Sequence, residues 1–357
     1  MSDSSRFPRT TIIWSCPMSF KKPFIIAEMS GNHNYSLERA LAIVEAAAAA
    51  GADALKLQTY TADTMTLDCD APGFTIEDPN SLWKNQRLYD LYEQAHTPWE
   101  WHKPIFDRCR ELGLTPFSTP FDASSVDFLE SLNTPIYKIA AFENGDIPLL
   151  KKVAATHKPV IVSLGMIGLD EIAECISTLS DNGCPDITIL KCTSTYPASP
   201  ENTNLLTIPD LIRRFPQCHV GLSDHTLGIG VSLGAIALGA EVVEKHFTLS
   251  RADGGVDSAF SMEPAEMKQL VEESKRIFAA RGQVKYDLSD AEKKSLVFRR
   301  SVYVAENIKA GERFTEKNLR CIRPGFGCHP RHYESHLGKK AVCDLTRGTP
   351  MKSEYAE

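Results

Sequence analysis

At 357 residues the chain exceeds one ordinary domain and suits a barrel with a small appendage. Its 43% apolar and 24% charged residues are a globular composition, and its formal net charge of −7 excludes the broad basic footprint of a nucleic-acid binder. No apolar run reaches about eighteen residues, so no membrane-spanning helix is expected.

Residues 1–20 read as an N-terminal extension without the basic-then-apolar order of a secretory signal, which points to a cytoplasmic protein. The ten cysteines show neither CxxC pairs nor zinc-finger spacing and read as reduced, mostly buried small hydrophobes. From residue 23 strand-like and helix-like segments alternate. PFIIAEM (23–29) is the first strand. A helix over 36–50 follows, with Leu37, Ala40, Leu41, Val44 and Ala48 on one face and Gly51 as its C-cap. ADALKLQTY (52–60) is the second strand. The 61–97 stretch is too long for plain connection and reads as a functional lid.

A helix near 98–112, opened by Pro98 and closed by Gly113, leads to the third strand, LTPFSTPF (114–121). A helix around 123–132 precedes the fourth, TPIYKIAAF (134–142). KPVIVSLGM (158–166), DITILKCTS (186–194), HVGLSDHT (219–226) and EVVEKHFTL (241–249) are the fifth to eighth. The sixth repeat is the weakest, because Pro209 interrupts its helix; an amphipathic helix at 263–281 closes the series. Eight such repeats predict a (β/α)8 TIM barrel over 21–283. Residues 284–298 are charged, carry no core stripe and read as a linker. Short β-like runs separated by turn residues then predict a small, mostly β domain over 299–357.

Chemistry in such a barrel collects at the C-terminal strand ends. In order these carry Glu28; Lys56 and Gln58; Ser118 and Thr119; Lys138 and Glu143; Ser163; Lys191, Ser194 and Tyr196; Ser223 and His225; Glu244 and His246. A lone histidine is usually satisfied by local backbone. His225 and His246, at matched positions on consecutive strands, instead suggest a divalent metal site. A lone lysine usually snorkels to solvent. Lys56 and Lys138 lie deep in apolar strands on one rim and point to a phosphate or carboxylate, with a Schiff base as the chemical rival. Asp257, in RADGGVDS, reads equally as a turn residue or as a contact to substrate hydroxyls.

Seven segments in order carry a resemblance: IIAEMSGNHN (25–34), GADALKLQTY (51–60), FSTPFD (117–122), YKIAAFE (137–143), KCTSTYPA (191–198), GLSDHTLG (221–228) and EKHFTL (244–249). Together they resemble the nonulosonic (sialic-type) acid synthase family. The C-terminal part, with RSVYVAENIKAGERFTEKNLRCIRPGFG, looks like the antifreeze-like (SAF) domain of the same enzymes. LYDLYEQAHTPWEWH (88–102), YKIAAFE and LKCTSTYPA look most like the pseudaminic acid branch.

The resemblance implies condensation of phosphoenolpyruvate with the open-chain aldehyde of an N-acetylated amino sugar, here 2,4-diacetamido-2,4,6-trideoxy-L-altrose. His225 and His246 would hold Mn²⁺, with Mg²⁺ or Co²⁺ as substitutes. Lys56, Thr119, Lys138, Ser163, Ser194 and Ser223 would hold phosphoenolpyruvate. Glu28, Lys56, Lys138 and Glu244 would be catalytic, Glu28 beside the metal and the attacking water. Gln58, Glu143, Tyr196 and Asp257 would face the sugar. Arg323 would reach its N-acetyl group from the partner chain of a domain-swapped homodimer. Three departures bear on single contacts: Ser194 stands for an Asn of the neuraminate motif, Ala141 for a Ser, and SLGM for STGM. Neuraminate or legionaminate synthase is the alternative within the family, and a Schiff-base aldolase or a carbohydrate-binding protein outside it.

Overall fold

The computed structural model describes residues 22–79 and 81–357. The expected extension over 1–20 lies outside the described residues. The chain separates into two units, meeting at Gly282 and Gln283.

The first unit is a closed barrel of eight parallel strands in chain order. These are β1 (Phe24–Glu28), β2 (Ala54–Thr59), β3 (Thr115–Pro120), β4 (Tyr137–Ile139), β5 (Val160–Leu164), β6 (Ile187–Cys192), β7 (His219–Asp224) and β8 (Val242–His246). Every expected strand is present but shorter at its ends. β4 is cut most, because Pro135 cannot donate to a ladder and the chain turns after Ile139, where the Glu143 amide bonds the Ala140 carbonyl at 3.2 Å. Phe142, expected at the end of that strand, stands in this turn with 65% of its surface exposed.

The helices are α1 (Leu37–Ala50), α2 (Ala62–Met65), α3 (Leu88–Ala95), α4 (Trp99–Glu111), α5 (Ala123–Ser131), α6 (Ile147–Ala154), α7 (Leu169–Asp181), α8 (Thr207–Arg214), α9 (Gly230–Ala237) and α10 (Pro264–Arg281). Ser36 caps α1, its side chain accepting from the Arg39 amide, and Gly51 ends it at φ +85°, where a Cβ would be strained. Pro209 does not break α8. It occupies the first turn, where its missing amide hydrogen would have had no partner within the helix.

Strand alternation splits the apolar residues into two layers. Ile26, Ala54, Phe117, Ile136, Ile161, Leu190 and Val242 pack together as a plug inside the barrel. Their outward neighbours, among them Ile25, Leu55, Val162, Ile189, Leu222 and Val243, join the large core with the helices. Gly221 belongs to the interior: a Cβ there would lie 2.3 Å from the Val242 carbonyl oxygen and 2.6 Å from Leu190 Cδ2. Two residues farther along the strands the interior turns polar, and there the site begins.

The second unit has its own core of Val302, Val304, Ile308, Phe314, Leu319, Ala341, Leu345 and Met351 around the antiparallel pair β9 (Ser301–Val304) and β10 (Leu319–Ile322). The stretch expected as a linker contains a helix, α11 (Asp290–Ser295), followed by a 3-10 turn over Leu296–Phe298. Ser289 and Glu292 form a capping box there: the Glu292 amide donates to Ser289 Oγ at 3.2 Å and the Ser289 amide to Glu292 Oε2 at 2.8 Å. A helix that short needs no core stripe when both ends of its first turn are satisfied.

Candidate active site

Above the apolar plug, β1, β2, β4 and β8 each contribute a charge to one buried cluster. The Lys56 ammonium lies 2.6 Å from Glu28 Oε2, 3.9 Å from Glu244 Oε2 and 3.2 Å from Thr119 Oγ1. The Lys138 ammonium lies 3.3 Å from Glu244 Oε1, which also accepts from Ser223 Oγ at 3.1 Å. Gln58 donates to Glu28 Oε1 at 3.0 Å. Register explains the proximity: Glu28 pairs with Lys56 on one side and His246 on the other, and Ser223 pairs with Glu244.

Glu28, Lys56, Lys138 and Glu244 are all buried. Burial pushes Glu28 up to about 7, against the pull of Lys56. Burial pulls Lys56 down, but the Glu244 and Glu28 carboxylates outweigh it and hold the ammonium above its usual range. Lys138 has less compensation; burial prevails over Glu244 and lowers it. Burial also raises Glu143 to about 7, and its Oε2 has no hydrogen-bond partner. Ser163 Oγ, buried on β5, is likewise without a partner. Two buried ammonium groups balanced by the Glu28 and Glu244 carboxylates, beside hydroxyl and carboxyl oxygens without hydrogen-bond partners, suit a polyanionic ligand whose oxygens can take the place of these internal pairs.

The histidines stand at the same rim. Their ring centroids are 5.3 Å apart, and Tyr196 lies 4.5 Å from His225 while Phe260 lies 4.9 Å from His246. Burial lowers His225 to about 4, and burial reinforced by His225 lowers His246 well below its usual value, so both imidazoles are neutral at pH 7, the form a metal ion would need. His225 Nδ1 faces the Thr193 carbonyl at 3.2 Å, which places its proton there and leaves the Nε2 lone pair free. His246 Nδ1 is buried without a hydrogen-bond partner and sits 3.7 Å from Asp257 Oδ2. Two imidazoles sharing an ion at about 2.1 Å place their centroids roughly 5 Å apart, so the pair fits a divalent metal. Among the described residues no cluster of three or more His, Cys, Asp or Glu forms a metal cage. An ion held by these two histidines alone would have its remaining positions open to water or ligand oxygens.

Asp257 is brought in by its loop: Ser30 Oγ donates to its Oδ2, and burial raises its carboxyl above the usual range. Trp83, from the 61–97 insertion, donates to the Val256 carbonyl at 3.1 Å, and its ring lies 6.2 Å from Tyr196. The insertion therefore reaches the site. Ser194 Oγ lies 3.6 Å from Cys192 Sγ, and a Cβ on Gly165 would come within 2.1 Å of that hydroxyl. Arg323 belongs to the second unit, where it lines a groove with Phe298, Arg299, Arg300 and His329.

Two strand-end residues do not join the site. Lys191 has the opposite parity to Leu190 and Cys192 and donates to Thr193 Oγ1 at 2.7 Å beside α8. Ser118 bonds Thr59 at 2.6 Å, and Thr59 in turn bonds His102 of α4 at 2.8 Å. Ser30 and Phe260, in 3-10 turns after β1 and β8, and Thr193, just past the end of β6, also support the site; strand-end parity does not point to them because their positions are set by the turns.

A closed parallel barrel with its charged and metal-competent groups gathered at one rim defines a (β/α)8 enzyme acting on an anionic substrate. The chain belongs to the NeuB family, whose model matches residues 43–286, and a SAF domain matches residues 299–352. It is 44% identical to pseudaminic acid synthase of Campylobacter jejuni over 332 residues, covering 93% of this chain and 96% of that relative. It is 40% identical to N,N'-diacetyllegionaminic acid synthase of the same organism, covering 90% and 96%. Among solved structures, N-acetylneuraminic acid synthetase of Leptospira borgpetersenii superposes with a TM-score of 0.68 at 31% identity, covering 77% of this chain and 90% of that one.

Proposed function

We propose that this enzyme condenses phosphoenolpyruvate with 2,4-diacetamido-2,4,6-trideoxy-L-altrose and water, giving the nonulosonic acid pseudaminate and inorganic phosphate. The observation that carries the reading is the buried Lys56–Glu28–Glu244–Lys138 cluster beside the His225–His246 pair. Its support within the family is the 44% identity to a pseudaminic acid synthase.

Lys56, Lys138, Thr119, Ser163, Ser194 and Ser223 hold the phosphate and carboxylate of phosphoenolpyruvate. His225 and His246 would hold a divalent ion, Mn²⁺ or in its place Mg²⁺ or Co²⁺, which would supply a Lewis acid for the sugar aldehyde oxygen. C3 of phosphoenolpyruvate bonds to the aldehyde carbon, water adds at C2, and the C2–O bond to phosphate breaks. Glu28, whose carboxyl titrates at about 7, takes the proton of the water at C2. Glu244 balances Lys56 and Lys138 as the phosphate leaves. Gln58, Glu143, Tyr196 and Asp257 face the sugar.

Mass spectrometry of products from phosphoenolpyruvate and a panel of amino sugars tests the assignment. The exposed ring of Phe142 suits a deoxygenated terminal carbon, so kcat/KM for the trideoxy sugar should exceed that for N-acetylmannosamine by roughly 100-fold. Comparable values would refute the branch. The Schiff-base rival rests on the lowered Lys138 amine, and borohydride trapping with a keto substrate would expose it.

The working form is a cytoplasmic homodimer in which Arg323 of one chain reaches the sugar of the other, its guanidinium fork suited to an amide carbonyl. Equal mixing of His225→Ala and Arg323→Ala chains should restore about a quarter of the parent activity, since half the dimers are mixed and each has one intact site. No recovery after verified subunit exchange would place Arg323 outside the partner's site.

A further inference from the structure

The two strands that carry the histidines are tied together on the side of the barrel that the chemistry does not use. On β7 and β8 the inward residues are Ser223 and Glu244, followed by His225 and His246. Between the members of each inward pair stands one outward residue, Asp224 on β7 and Lys245 on β8, and these two are register partners. Both are buried, Asp224 with 2% and Lys245 with 0% of its surface exposed. Lys245 Nζ lies 3.2 Å from Asp224 Oδ2.

Every polar atom of the pair is used, and nearly all the bonds go to the turn that follows His225. Asp224 Oδ1 accepts from the Thr226 amide at 2.9 Å and from its hydroxyl at 2.8 Å; Oδ2 accepts from Ser232 Oγ of α9 at 2.6 Å. Lys245 Nζ donates to the carbonyls of Thr226 and of Gly228, the latter at 3.1 Å. The residue after His225 is thus held by its amide, hydroxyl and carbonyl. One of the groups holding it comes from the residue before His246.

An ion pair removed from water is a poor source of stability, since apolar side chains of similar volume often do as well or better. Its directional bonds do something an apolar pair cannot, which is to fix two backbones in one relative position. We infer that the Asp224–Lys245 pair is a positioning device that sets the His225–His246 separation and thereby the metal affinity of the site. The inference rests on the reading that these histidines hold the metal. Neither residue faces the barrel interior, so neither touches substrate.

The double variant Asp224→Asn/Lys245→Met tests it, because it removes both charges and the lysine's bonds to the turn without leaving a bare charge behind. Metal-free protein is titrated with Mn²⁺ and the bound ion read by electron paramagnetic resonance; thermal melting and binding of phosphoenolpyruvate are measured alongside. The expected result is a Mn²⁺ Kd weakened by about 10–100-fold, the usual cost of losing a group that orients a metal ligand. The melting temperature should stay near that of the parent, and the phosphoenolpyruvate Kd should change less than about threefold, roughly 0.6 kcal/mol. A folded double variant that binds Mn²⁺ as the parent does would overturn the inference. Should the double variant fail to fold, Ser232→Ala removes one bond to Asp224 Oδ2 and should weaken Mn²⁺ measurably at unchanged melting temperature; unchanged affinity there would overturn it too. If the parent binds Mn²⁺ no better than His225→Ala, the metal reading itself is wrong and the inference falls with it.

Discussion

Replacing Lys56 by alanine should lower kcat/KM for phosphoenolpyruvate by about 10²–10³-fold and leave the KM for the amino sugar nearly unchanged. The lysine meets Glu28 at 2.6 Å and Thr119 at 3.2 Å inside the barrel, so its ammonium is already aimed at the anion position. A charge-assisted contact contributes roughly 1.5–3 kcal/mol, and two such contacts to the phosphate and carboxylate account for the upper end of the range. The same change strips Glu28 and Glu244 of a counter-charge. Breaking one side of a buried pair costs about 3–5 kcal/mol, so the melting temperature should fall as well. Lys56→Ala/Glu28→Gln separates the two effects: it should regain stability without regaining affinity for phosphoenolpyruvate. Steady-state kinetics in each substrate and thermal melting read both. An equal loss of affinity for both substrates would mean that the anion site is elsewhere.

Removing divalent metal with EDTA should reduce turnover to background, a fall of about 10³-fold, and Mn²⁺ should restore it. A Lewis acid at a developing oxyanion supplies several kcal/mol, and about 4 kcal/mol corresponds to that factor. Among the described rim residues the other cations do not replace it: both imidazoles are neutral at pH 7, and in the proposed complex Lys56 and Lys138 are committed to phosphoenolpyruvate. His225→Ala should show the same loss with its melting temperature preserved, because the rim packs against Tyr196 and Phe260 outside the main core. Full turnover by a preparation shown to be free of metal would refute this role.

The eight repeats were legible because buried strands and amphipathic helices leave different periods in the chain. Strand ends were less so. Pairing partners and turns decide where a ladder stops, as at Ile139, and the sequence around TPIYKIAAF continues apolar past that point. The helix Asp290–Ser295 was missed for the opposite reason: a capping box, not a core stripe, holds it.

Most of the site could be read as residue types at strand ends, and parity along each strand was also in the sequence: Glu244 and His246 share a face, and Lys245 has the other. Local patterning therefore determined which side chains travel together. It could not determine which face turns inward, because that follows from closing the sheet into a barrel, β8 onto β1. The closed barrel pairs β1 with β2 on one side, which puts Glu28 beside Lys56, and with β8 on the other, which puts it beside His246 and makes two acids and two lysines one cluster. It also sends Lys191 and Lys245 outward, although their immediate sequence looks like that of Lys56 and Lys138. The physical reason is that a side-chain period of two fixes relative facing within a strand at no distance cost, whereas absolute facing is a property of the whole barrel.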